Sequence, residues 1–230
     1  MEATHLAATA YRCDIPRKRR SGSGGRMGEA KLRREAMRKR LFEQVEGWTF
    51  PPSPWEKALF EEVVALPAFR ARRMPAEDLA WMRMPANHCH ANARWYEAND
   101  WTGQSRAVVG WWVQGSDLVL HSLLTNGHEY MCITPSSLEE TEIIFIPDPQ
   151  IEWIEGDGQL SAKRNGQLIG LGIRRYPALT IAMHEIMRSR LERGMDPHSA
   201  SEFSPDELEH LMREHLSSEE FAAIGRSGSA

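Results

Sequence analysis

The chain has 230 residues, 41% of them hydrophobic and 26% charged, with a net charge of −4 and three cysteines. That composition is globular and excludes collagenous, low-complexity and disulfide-stapled classes, and no apolar run approaches the ~20 residues that cross a bilayer. An odd, sparse set of cysteines without a charged-then-apolar leader fits a reducing compartment, so a cytoplasmic protein with no membrane partner is expected.

Residues 1–26 read as a disordered basic leader: Pro16, then Arg17-Lys18-Arg19-Arg20, then Ser21-Gly22-Ser23-Gly24-Gly25. Met27 opens a stretch that reads as a natural start, with an extended gene reading upstream of it. Residues 1–40 hold 12 Lys/Arg against four acids, while the rest of the chain holds 16 against 28. A basic arm on an acidic body is one way to touch nucleic acid, here through residues 17–40, and a solvated leader is the plainer reading. Residues 29–46 are helix-forming, with apolar surface concentrated from Leu41-Phe42 onward, so residues 27–50 form an exposed basic helix. Pro51, Pro52 and Pro54 break it. A second helix over 54–66 gathers Trp55, Leu59, Phe60, Val63 and Val64 before Pro67, and a short one over 76–83 starts behind Pro75 with Glu77-Asp78 in its first turn.

The pattern changes at Pro85. Asn87 is placed to cap a helix over 88–98, which Asn99-Asp100 and Gly103 end. Strands follow at 106–113, 118–124, 128–134 and 142–146, with Asn126-Gly127 as a hairpin signal between the second and third. Residues 151–173 suggest a polar hairpin turning at Asn165-Gly166. A helix over 179–191 comes next, then one over 205–215 with Ser204 and Glu207 in a capping box, then a frayed tail from Gly225. The fold class is α+β: N-terminal helices, a central helix packed on a mostly antiparallel sheet, and C-terminal helices. The expected divisions are the leader over 1–26, the basic helix over 27–50, one α+β domain over 51–200, and a C-terminal helix and tail over 201–230.

Chemistry concentrates in Asn87-His88-Cys89-His90-Ala91-Asn92. Cys89 falls in the first turn of its helix, where unpaired N–H groups and the helix dipole favour a thiolate. His121 lies 32 residues further on, in mid-strand before Ser122. A strand packed on that helix lets His121 act as base for Cys89, and Asn87 or a helix N–H steadies an oxyanion. Cys89, His121 and Cys132 also offer three zinc ligands with one open position. No paired Cys-x-x-Cys or His-x-x-x-His spacing supports that, so neither metal nor cofactor is expected.

The strings HCHANARW, VVGWW, LHSLLTNGHEYMCITP and IIFIPDP resemble a family of uncharacterised bacterial and phage proteins. Its members carry a Cys-His-x-Asn helix, a Gly-Trp strand, a His-Ser strand and an Asp-x-Thr-Pro strand. That order is similar to the core of transglutaminase-like and papain-like cysteine enzymes, in which Cys on a helix, His on one strand and Asp on the next form a triad. The resemblance covers about 65 of the 230 residues. It implies Cys89 as nucleophile and His121 as base, with the orienting acid replaced by Cys132. A thiol does not hold an imidazolium as a carboxylate does, and Glu129, three residues earlier on a strand, faces the other way.

Two functions of different kind follow from these residues. One is a Cys-His hydrolase or acyltransferase working through a thioester at Cys89, His121, Cys132 and Asn87. The other is a non-catalytic scaffold that binds a peptide or protein, with Trp95, Trp111 and Trp112 as core and cleft wall.

Overall fold

The computed structural model describes residues 26–136, 140–156 and 159–227, and the leader expected over 1–26 lies outside these apart from Arg26. In chain order the elements begin with α1 (Arg26–Trp48), α2 (Glu56–Val64), β1 (Phe69–Arg73), α3 (Ala76–Trp81) and α4 (Cys89–Asn99). Strands β2 (Arg106–Gln114), β3 (Asp117–Thr125), β4 (Tyr130–Cys132) and β5 (Glu142–Pro147) follow. After them come β6 (Ile151–Gly156), β7 (Gln159–Arg164), β8 (Gln167–Ile169) and β9 (Gly172–Arg174). The chain ends in α5 (Pro177–Glu192), α6 (Pro197–Ser201), α7 (Pro205–His215) and α8 (Ser218–Ser227). This is an α+β protein, and among the described residues no helix is long and apolar enough to cross a membrane.

Contacts divide the chain differently from the single domain expected over 51–200. Pro54–Arg175 form one compact unit, and residues up to Ser53 join those from Tyr176 onward in another. The physical reason is α5. Its Met187 and Leu191 pack on Leu41 and Val45 of α1, and its Leu179 and Met183 pack on Leu208, Leu211 and Met212 of α7. The second half of α1 is therefore core rather than exposed, as the onset of apolar residues at Leu41 foreshadows, while Leu32 stays open to solvent. Part of the basic run is also engaged within the protein: Lys31 and Lys39 face Glu35 and Glu43, and Arg38 donates to the Leu191 carbonyl at 2.6 Å. At the start of α7 the Ser204 hydroxyl and the Glu207 carboxylate each accept the other residue's backbone N–H, the expected capping box.

The unit over 54–175 is organised by a sheet that closes on itself. Its order is β2-β5-β1-β4-β3, with β3 pairing back onto β2 and β9 added beside β3. Every pair is antiparallel except β1 with β4. Side chains alternate across a strand, so each strand sends one set inward. Ala71, Val108, Trp112, Leu123, Tyr130, Cys132, Ile143 and Phe145, drawn from all five ring strands, form that interior. The opposite set, including Trp111 and Leu118, is covered by α2 and by the three-stranded sheet β6-β7-β8. The β7–β8 turn is Asn165-Gly166, both at positive φ (50° and 78°), as a two-residue hairpin requires.

Two buried acids fasten this arrangement. Asp148, fully buried, accepts from the Trp111 indole at 2.8 Å and from Arg164 Nε at 2.7 Å. Glu56 at the start of α2 accepts from the backbone N–H, Nε and Nη2 of Arg174 on β9 at 2.8–2.9 Å.

Candidate functional site

Helix α4 lies on the outside of the closed sheet, against β2 and β3. Its Ala93 is buried with Ala107 of β2 and Leu124 of β3 among its neighbours. The helix does not begin as the sequence suggests. Asn87 is exposed, in the left-handed region at φ 62°, and the N-cap is His88, which makes no side-chain capping bond. Nor does Asn87 turn towards Cys89: among the described residues it has no hydrogen bond. The buried amide of this segment is Asn92, which donates to the Pro85 carbonyl at 2.9 Å and to the Thr134 hydroxyl at 3.4 Å. Asn92 thus ties α4 to the chain just after β4.

Cys89 is the first residue of α4 and half-buried. Burial pushes its thiol up to about 11, and the backbone N–H groups of Ser122 and His90 offset this only in part. The thiol is therefore neutral at pH 7.

His121 and Ser122 are neighbours on β3 and project to opposite faces. Ser122 faces α4, where its hydroxyl meets His90 Nδ1 at 2.7 Å. His121 points into the closed sheet, where its Nε2 meets Cys132 Sγ at 3.3 Å and its ring lies 5.6 Å from that of Trp112. The structure thus brings His121 to Cys132, but makes no hydrogen bond between His121 and Cys89 among the described residues. Strand alternation is the reason. The imidazole that was expected to face the helix is carried by the inward-pointing residue, and the outward-pointing one is a serine.

Cys132 is fully buried, and burial raises its thiol above the usual cysteine value. Beside it is a residue that the sequence reading missed, Arg73 of β1. Its Nη1 lies 3.5 Å from Cys132 Sγ and its guanidinium sits 4.8 Å from the Trp112 ring centre, while Nε and Nη2 are buried without a hydrogen-bond partner. Nothing in the string FRARR announces this role. The strand is short and basic, and its partner β4 lies far away in sequence. Among the described residues no three His, Cys, Asp or Glu side chains are grouped to hold a metal ion, and Cys89, His121 and Cys132 do not converge as a ligand set.

Two histidines here are held neutral. Burial, with the Arg94 charge next, lowers His90 to about 4, and burial, with the charges of His90 and Arg73 next, lowers His121 to about 3. An unfolded histidine takes up its proton near 6.5. Between that value and about 4 the unfolded chain is protonated and the folded one is not, so stability is full above pH 6.5 and falls as pH drops. Urea unfolding at pH 7 and pH 4.5 is expected to show a loss of roughly 2 kcal/mol or more, and replacing both histidines by glutamine is expected to flatten that loss. A pH dependence unchanged in the double variant would show that other groups control it.

The outer face also carries a cavity of about 260 Å³, lined by Arg94, Glu97, Ala107, Val109, Ser122 and Trp153. The edge of the His90 ring rests on Trp153, with ring centres 4.6 Å apart, and the Arg94 guanidinium lies 5.1 Å from the same indole. Polar groups thus meet an aromatic and aliphatic wall on this face.

Comparison with protein-family models, with curated proteins and with solved structures returns no match.

Proposed function

We propose that the protein is a ligand-binding scaffold whose cleft lies where α4 crosses the outside of the closed sheet, and that it works without covalent chemistry at Cys89. The observation that carries this reading is the division of the two dipeptides. His121 turns inward to Cys132, and Cys89 is left as a neutral thiol against the Ser122 backbone. A cysteine nucleophile needs a base within hydrogen-bond reach or a lowered thiol pKa, and among the described residues neither accompanies Cys89. The cavity beside it is lined by apolar side chains, a hydroxyl and charged groups, the kinds of group a binding site uses.

A second reading has one observation in its favour. Cys89 stands in the first turn of α4 with the N–H groups of Ser122 and His90 directed at its sulfur. Together with the resemblance to cysteine enzymes, this supports acyl transfer through a thioester at Cys89, with His121 turning to serve it.

Alkylation separates the two. With iodoacetamide at pH 7, mass spectrometry is expected to show Cys89 reacting far more slowly than glutathione, because a thiol at about 11 carries on the order of a hundredfold less thiolate than an ordinary cysteine. Ligand-observed NMR with a pool of neutral fragments is expected to find binders that Cys89→Ala retains and that Ala107→Leu, narrowing the cavity in a protein that still melts cooperatively, loses. Alkylation faster than that of glutathione would replace the binding reading with the catalytic one.

A further inference from the structure

Arg94 and Glu97 stand three residues apart on α4, so they share a face, with Cβ atoms about 5–6 Å apart. Opposite charges at this spacing often close into an intrahelical pair. This one is open: among the described residues neither side chain has a salt-bridge partner, and the Arg94 guanidinium rests over the Trp153 ring instead. The cavity is therefore lined by a positive and a negative group from α4, by Ala107 and Val109 of β2 with Ser122 beside Val109 on β3, and by Trp153. The hydroxyl is fixed by its 2.7 Å contact with His90, whose ring stays neutral at pH 7 because burial holds it low. The imidazole thus adds no second positive charge.

Building on the binding reading, we infer that this cavity takes a small zwitterion with an apolar side chain, its carboxylate facing Arg94, its ammonium facing Glu97 and its side chain against Ala107, Val109 and Trp153. A free α-amino acid and a dipeptide share that chemistry. A purely anionic ligand would leave Glu97 facing it, and a purely cationic one would face Arg94. A ligand carrying both charges satisfies both groups.

Isothermal titration of the full chain with L-leucine, L-leucinamide, N-acetyl-L-leucine and Leu-Leu tests this. Leucine is expected to bind at least about tenfold more tightly than leucinamide or N-acetylleucine, each of which lacks one charge-assisted contact. Arg94→Gln is expected to erase the preference over leucinamide, and Glu97→Gln the preference over N-acetylleucine. Both substitutions are on the outer face of α4, and each variant is checked for an unchanged melting temperature. Leu-Leu binding more tightly than leucine, with the same dependence on both side chains, assigns the site to a dipeptide, and the reverse assigns it to a free amino acid. Equal binding of leucine and its two capped forms, or no binding of leucine while neutral fragments still bind, overturns the zwitterion and leaves the cleft. Failure of every fragment as well overturns both.

Discussion

Gly110→Ala is expected to destabilise the protein by roughly 3 kcal/mol or more, or to leave it insoluble. Gly110 lies at the middle of β2, opposite His121 on one side and Pro147 on the other, where β2 pairs at once with β3 and β5. A Cβ added there would lie 2.2 Å from the Ile146 carbonyl oxygen and 2.8 Å from both Phe145 Cζ and Pro147 Cα. Two of those three neighbours are backbone, so relief requires β5 to move away from β2 and the ring to open. The glycine is needed for close approach rather than for an unusual backbone angle. Soluble yield and urea unfolding check the expectation, with Gly103→Ala as a contrast: Gly103 has empty space around it and a φ of 65°, so its cost is limited to local backbone strain, roughly 1 kcal/mol. A Gly110→Ala protein unfolding at the parent's urea midpoint would mean that β5 does not pack on β2 in this way.

Glu56→Ala is expected to cost about 3–5 kcal/mol, the range for breaking a buried ion pair on one side. Glu56 and Arg174 are 1% and 0% exposed. Three donors of Arg174 converge on the one carboxylate, so its removal takes three contacts at once from a buried guanidinium and its backbone N–H. Two apolar residues often pack as well as a buried pair, so adding Arg174→Leu to Glu56→Ala is expected to recover part of the loss, a coupling that a double-mutant cycle measures. Burial decides the size of the effect. Arg72 and Glu129 pair just as closely on the surface, and breaking that exposed pair is expected to cost under about 1 kcal/mol. Equal losses at the two sites, read from urea unfolding, would contradict this ordering.

The elements that were legible in the sequence are those with a local signature. The capping box at Ser204, the turn at Asn165-Gly166 and the helices rich in periodic apolar residues each depend on contacts within a few positions, and each stands where the sequence puts it. Asn126-Gly127 marks a turn correctly, but the loop runs on to Glu129, with the Asn126 side-chain Oδ1 accepting from the backbone N–H groups of His128 and Glu129. β1 was not legible. Only Ala71 of its five residues is buried, and its partners β4 and β5 are distant in sequence. The candidate site shows the same limit at finer scale. The dipeptides Cys89-His90 and His121-Ser122 stand out in the sequence as candidates, but which member of each pair meets the other depends on strand phase. Adjacent residues on a strand face opposite ways, so the partner of Ser122 is His90 and the partner of His121 is Cys132. Arg73 went unnoticed for the same reason as its strand.

The place of β1 between β4 and β5 also bears on how the chain is made. As the polypeptide leaves the ribosome, residues 69–73 emerge long before either neighbour: one flank waits for β4, which ends at Cys132, and the other for β5, which ends at Pro147. Until then the segment between them can form its β2–β3 hairpin and α4, but the first strand has nowhere to dock. Contacts of such wide separation slow folding, so closure of the sheet around β1 is expected to be the slow part of folding for this unit.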